Sequence, residues 1–230
     1  MFSHEPDKFH RIFEHHRTIL LQMIPLFVDC SDRRIVIFGG GRVAARKAAY
    51  FSGKSRLTIA SRSFVPEFES IQAVRVEIDL EAASDKKILD LTRDAFLVIA
   101  AVSDPEINNR IGRICRTKGI LFNNADGETG DVILPAVTGG EHYAIAVSTN
   151  GASPAISRFI REQIEDDFPA LDAMIALQNR LRDDLKHAVT DATRRNAILR
   201  EVLEDHTVWE QLLTDREAAW ADVERRYLHG

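Results

Sequence analysis

The chain has 230 residues, a net charge of -5, and 45% hydrophobic against 28% charged residues. That is the composition of a globular protein with a sizeable core, not of a disordered chain. The acidic balance gives no general attraction to nucleic acid or to an anionic membrane surface. No apolar run reaches the ~18–20 residues of a membrane span, and the charged beginning is unlike a signal peptide. Cys30 and Cys115, with no CxxC spacing, read as reduced thiols of a cytoplasmic protein and not as a disulfide framework or a metal site.

The first stretch, 1–22, places Phe9, Ile12, Phe13, His16, Ile19 and Leu20 at helical spacing and is expected to form an amphipathic helical extension. Its histidines read as solvated helix positions, not as metal ligands. From Leu26 the pattern becomes strand, turn and helix. Arg34–Phe38 predicts a strand, Gly39-Gly40-Gly41 a break, and Arg42–Phe51 a helix. Arg56–Ala60 and Val74–Ile78 predict a second and third strand. Ala95–Val102 is apolar on both faces, as a central parallel strand is. Pro105–Lys118 reads as a helix ended by Gly119, and Gly119–Asn123 as a fifth strand. Strands alternating with helices predict an α/β, Rossmann-like parallel sheet.

Beyond Asn124 the pattern shifts. Asp131–Val137 and His142–Ser148 are strand-like, and Ser153-Pro154 opens a helix as N-cap and first helical residue. Ile156, Phe159, Ile160 and Ile164 stripe that helix until Pro169 ends it. Further stripes run through Leu171–Leu185 and Ile198–Val223. These helices have no second sheet to cover, so they are expected to cap the first domain or to build a subunit interface. The expected division is a helical extension 1–22, a dinucleotide-binding domain 23–126, a small α+β dimerisation and substrate region 127–168, and a C-terminal helical domain 169–230.

Gly39-x-Gly41-x-x-Ala44 follows a strand and opens a helix, the context in which this spacing binds a dinucleotide. Gly39 makes the tight turn, Gly41 lets backbone approach a pyrophosphate, and Ala44 permits close helix–strand packing. The alternative is a glycine-rich turn without a ligand. The second strand ends in Ser61-Arg62-Ser63, without the carboxylate that grips a ribose diol. Taken alone, that triplet leans towards a 2′-phosphate and NADP.

Several stretches together resemble the precorrin-2 dehydrogenase/sirohydrochlorin ferrochelatase family. They are MIPLFVD at 23–29, GGGRVAARK at 39–47, VIAAVSD at 98–104, Asn108, FNNAD at 122–126, Leu134-Pro135 and IAVSTNGASP at 145–154. The resemblance spans about 23–168 and implies NAD-dependent oxidation of precorrin-2 to sirohydrochlorin. In many members ferrous iron, as substrate, is then inserted to give siroheme. It implies a homodimer with interlocked domains, a tetrapyrrole as the small-molecule substrate, and no methyltransferase in a chain of this length. It returns the cofactor to NAD, with NADP as the alternative. Dehydrogenation without chelation is one alternative activity. A non-catalytic nucleotide-sensing subunit is another, but it has no need of FNNAD and STNGASP.

By this resemblance Asp126 is the catalytic residue, a base for dehydrogenation and for metallation. Its place just after the fifth strand, at the carboxyl edge of a parallel sheet, suits a ligand site. The residues expected against the cofactor are Gly39, Gly41, Arg42, Val43, Ser61, Arg62, Ser63, Ala101, Val102 and Ser103. Asp104, before Pro105, is expected to cap a helix. Asn124, Ser148, Thr149, Asn150 and Ser153 are expected on the substrate. The last four form a hydroxyl-rich helix start suited to carboxylate arms, with Arg158 and Arg161 one and two turns on. His142 stands without paired ligands, and no resident metal is expected.

Overall fold

The computed structural model describes residues 23–229, and the expected helix over 1–22 lies outside them. The described residues divide into two compact units, which part between Leu134 and Pro135.

The first unit is a five-stranded parallel sheet in the order β3-β2-β1-β4-β5. The strands are β1 (Arg34–Phe38), β2 (Arg56–Ser61), β3 (Val74–Glu77), β4 (Leu97–Ala100) and β5 (Leu121–Asn124). Helix α1 (Arg42–Phe51) links β1 to β2, α2 (Asp85–Thr92) links β3 to β4, and α3 (Pro105–Lys118) links β4 to β5. This is the doubly wound arrangement. Its order reverses between β1 and β4, where such sheets open a crevice at their carboxyl ends.

Alternation along the strands gives the sheet two cores. Ile35 and Ile37 of β1, with Ile59 and Ile99, pack against Ala44, Ala48 and Phe51 of α1. Val36 and Phe38 point the other way, with Val98 and Ala100, onto Ile88 of α2 and Ile111 and Cys115 of α3. The alanines of α1 keep that helix close to the sheet. No α-helix joins β2 to β3. A short 3-10 turn at Pro66–Phe68 stands there instead, and its fully buried Phe68 covers the same face as α1. Burial pushes the Cys115 thiol up to about 12, so it stays a protonated core group at neutral pH.

Two local expectations need correcting. Helix α2 has no counterpart in the sequence reading. It is short, is capped by Ser84, and buries only Ile88 and Thr92. The strand expected over 131–137 begins only at Ala136. Before it, the Val132 N–H bonds to Phe122 O at 3.0 Å and Asn123 Nδ2 to Val132 O at 2.7 Å, which ties that stretch to β5.

The second unit begins with an antiparallel hairpin, β6 (Ala136–Gly139) and β7 (Ala144–Val147), on which α4 (Pro154–Asp167) packs. Four helices follow: α5 (Leu171–Ala188), α6 (Ala192–Glu204), α7 (His206–Thr214) and α8 (Arg216–Tyr227). Much of their stripes is used among the four helices themselves. Leu177, Leu181 and Leu185 of α5 meet Ile198 and Val202 of α6, Val208 and Leu212 of α7, and Trp220 and Val223 of α8 in one core. α4 keeps its stripe open, with Ile156, Phe159 and Ile160 at 52%, 60% and 39% exposure, and Leu203 of α6 and Leu213 of α7 are exposed as well.

Candidate active site

The switch point of the sheet carries a cavity of about 530 Å³, and the glycine turn is its wall. Gly39 has φ +127°, and a Cβ there would run into the Ala101 carbonyl at the exit of β4. A Cβ on Gly40 would collide with Ser63 O and Ser61 Oγ at the exit of β2. The turn is thus wedged between the loops on either side, and the Val65 N–H closes on Gly40 O at 2.9 Å. Gly41 is different: a Cβ there meets nothing within 4 Å. Gly41 is also the N-cap of α1, with no side-chain hydrogen bond and no acidic residue in the first turn. The opening amides of α1 are therefore left for an anion.

Gly39, Gly41, Arg42, Val43, Ser61, Arg62, Ser63, Ala101, Val102 and Ser103 all line this one cavity, and so does Asp126. Asp104 lies on its wall as well and caps α3, accepting the Glu106 N–H at 2.8 Å. Arg42 pairs with Glu67 at 3.3 Å. The sequence reading passed over Gly40, which has the least room of the three glycines. It also passed over Asp79 and Glu81, which reach the rim from beyond β3.

Among the described residues, Asp126 is held through its backbone. Its N–H donates to Asn124 Oδ1 at 3.2 Å, and its carbonyl accepts from Asn108 Nδ2 at 3.2 Å. Neither bond uses the carboxylate, which is exposed at the cavity. Asn108 is fully buried and also closes on Val102, accepting its N–H at 3.1 Å and donating to its carbonyl at 3.0 Å. One amide thereby joins the exit loops of β4 and β5. Asn124 is absent from the cavity lining. Its Nδ2 donates to Glu128 O at 2.8 Å and to Asn109 Oδ1 at 3.2 Å, so its amide builds the loop. Beneath β5, Lys47 Nζ donates to Asn123 Oδ1 at 3.0 Å, and burial lowers its pKa.

Ser148, Thr149, Asn150 and Ser153 lie in the second unit, where α4 begins. Thr149 Oγ1 accepts the Ser153 N–H and donates to the Ser153 carbonyl, both at 2.9 Å. Ser153 Oγ accepts the Ile156 N–H at 3.4 Å. These two hydroxyls are engaged in the helix start. Ser148 and Asn150 are exposed, with Ser148 Oγ accepting the Asn150 N–H at 3.1 Å. Arg158 and Arg161 are not free cations. They pair along α4 with Glu162 and Glu165. Glu141, His142 and Asp172 bring ligand-type atoms within 4.8 Å of one another. Asp172 Oδ1 accepts the His142 backbone N–H at 2.9 Å, and that bond is the main reason its carboxyl is held below the usual range.

The fold and the cavity define a dinucleotide-binding protein of the doubly wound class. A family model for NAD(P)-binding domains matches residues 26–136, and the sirohaem biosynthesis protein central model matches 144–167. The chain is 41% identical over 209 residues to the precorrin-2 dehydrogenase of Methanosarcina barkeri, covering 89% of this chain and 92% of that one. It is 26% identical over 209 residues to a siroheme synthase of Shigella boydii, covering 90% of this chain but only 45% of that longer protein. The solved structure titled SirC, precorrin-2 dehydrogenase, shares the fold, with a TM-score of 0.65 at 18% identity over 88% of this chain and 100% of the other. The chain belongs to the precorrin-2 dehydrogenase family.

Two substitutions test this geometry. Gly41→Asp places a charge where backbone faces the cavity, so it is expected to abolish NAD binding in calorimetry while leaving the thermal unfolding transition in place. Normal binding would remove the phosphate role of the turn. Asn108→Leu removes all three hydrogen bonds to Val102 and Asp126, each worth about 0.5–1.5 kcal/mol. Denaturant unfolding is expected to show that loss, and an unchanged midpoint would show that the two loops stand without the clamp.

Proposed function

We propose that this protein is an NAD-dependent precorrin-2 dehydrogenase that forms sirohydrochlorin. The observation that supports it most is the Asp126 carboxylate, left free at the wall of the cavity that carries the glycine turn. The open face of Gly41 and the uncapped start of α1 fit the pyrophosphate of a dinucleotide. Val102 and Ser103, beyond β4, line the same cavity.

The reaction removes one hydride and one proton from the macrocycle. The nicotinamide, when bound, supplies the hydride acceptor. Asp126 takes the proton, and a general base of this kind contributes about 100–10,000-fold. The clamp through Asn108 fixes where that carboxylate starts from. Ser148 and Asn150, with the backbone at the start of α4, are assigned to the acidic arms of the tetrapyrrole. Thr149 and Ser153 shape that turn from within.

A second reading, chelation, is favoured by the likeness to siroheme synthase. Asp126 would then also receive pyrrole protons as ferrous iron, a substrate, enters the ring. Among the described residues no helix is long and apolar enough to cross a membrane. The open stripe of Ile156, Phe159 and Ile160 supports a homodimer, because an exposed apolar face of that kind is characteristic of an interface.

Absorbance after mixing the protein with precorrin-2 and NAD tests the activity directly: the sirohydrochlorin spectrum is expected to appear. Asp126→Ala is expected to lower turnover by about 100–10,000-fold without weakening NAD binding. Near-normal turnover would remove Asp126 from the mechanism. Iron insertion into sirohydrochlorin in the absence of NAD separates the bifunctional enzyme from the dehydrogenase alone. In light scattering at micromolar concentration a dimer is expected, and an active monomer would overturn that assembly.

A further inference from the structure

The exit of β2 lacks a carboxylate for the adenosine ribose, and the neighbouring strand supplies one. β3 runs parallel to β2 with Glu77 opposite Ser61, and the Ile78 N–H donates to Ser61 O at 3.0 Å. Continuing that register brings Asp79 level with Ser63. Both residues line the cavity of the glycine turn. The Asp79 carboxylate is fixed by its own loop, since Oδ1 accepts the N–H groups of Glu81 at 3.0 Å and Ala82 at 3.4 Å. Its other oxygen, Oδ2, lies 3.8 Å from Arg62 Nη1.

A ribose 2′-hydroxyl needs an acceptor. A 2′-phosphate is anionic and needs cations. Arg62 alone would favour the phosphate, but here it faces Asp79, and Glu81 adds a second negative charge to the same rim. A phosphate arriving there meets Asp79 and Glu81 beside Arg62, while Arg42, the other cation of the lining, is paired with Glu67. A hydroxyl finds an acceptor in Oδ2, which no hydrogen bond of the loop occupies, with Arg62 as its counterion.

We propose that Asp79 accepts the 2′-hydroxyl of the adenosine ribose and, with Arg62 as its counterion, selects NAD over NADP. The assignment rests on the dinucleotide reading of the cavity. It moves the discriminating carboxylate from the end of β2 to the end of β3. Both side chains are largely exposed, at 70% for Arg62 and 46% for Asp79, so added salt screens the selection and narrows it.

Calorimetric titration with NAD and with NADP tests this without any turnover. The wild type is expected to bind NAD more tightly than NADP. Asp79→Asn keeps an oxygen for the Glu81 N–H and removes the charge. It is expected to raise NADP affinity about tenfold and to lower NAD affinity, on the scale of one partly screened charge interaction. Adding Arg62→Ala to that variant is expected to cancel the NADP gain, because the phosphate then loses its cation. Arg62→Ala alone is expected to weaken NADP more than NAD. An unchanged ratio of the two affinities in Asp79→Asn overturns the assignment and leaves the dinucleotide site standing. A folded wild type that binds neither coenzyme overturns the reading of the cavity itself, and the assignment with it.

Discussion

Asn108 closes three hydrogen bonds from a fully buried position near the start of α3. Few side chains can do this, because the task needs two donors and an acceptor on one planar group. The loops it joins leave adjacent parallel strands, where the sheet no longer supplies partners. One backbone bond, from the Ala125 N–H to Ala100 O, continues the ladder a step further. Beyond that point the Asn108 amide takes over. Its own position follows from the start of α3, which is fixed by the Asp104 cap and by Pro105. The location of Asp126 therefore derives from a helix cap some twenty residues earlier in the chain.

On the other wall the division of work is among glycines. Gly39 and Gly40 face protein, and each is confined by a neighbouring loop. Gly41 faces the cavity and is confined by nothing within 4 Å. The three look alike as letters, yet two of them hold the turn together and the third leaves room for a ligand. The buried alanines of α1 complete this arrangement by bringing the helix start down onto the sheet.

Where the chain states its structure locally, the sequence is readable. Asp104-Pro105 and Gly119 bound α3, and Ser153-Pro154 opens α4, because caps and prolines act on their immediate neighbours. The apolar run of β4 announces a central strand. Other features depend on what lies across space. The stripes of α5 to α8 are plain in the sequence, but a stripe does not say what it faces, and these face one another. Asn108 and Asn124 both flank the site in sequence, yet one amide clamps the cavity loops while the other builds the loop of β5. Asp79 follows a strand outside the usual fingerprint, and only the register of β3 on β2 brings it to the rim. The hydroxyls of Thr149 and Ser153, grouped in sequence as a cradle, are drawn into the helix start because a cap lies within their reach.

The missing helix between β2 and β3 has a consequence for how this protein can change over generations. β1, which carries the glycine turn, is buried along almost its whole length, whereas β3 is an edge strand with three of its four residues exposed. Substitutions beside the phosphate end of the cavity disturb the core at once. Substitutions at the exposed positions beyond β3, Asp79 and Glu81, alter the rim and leave both cores intact. Descendants of this chain can thus vary what they recognise at that rim while the two cores of the sheet and the reactive end stay under constraint. Divergence within the family is expected to collect on the β3 side of the crevice.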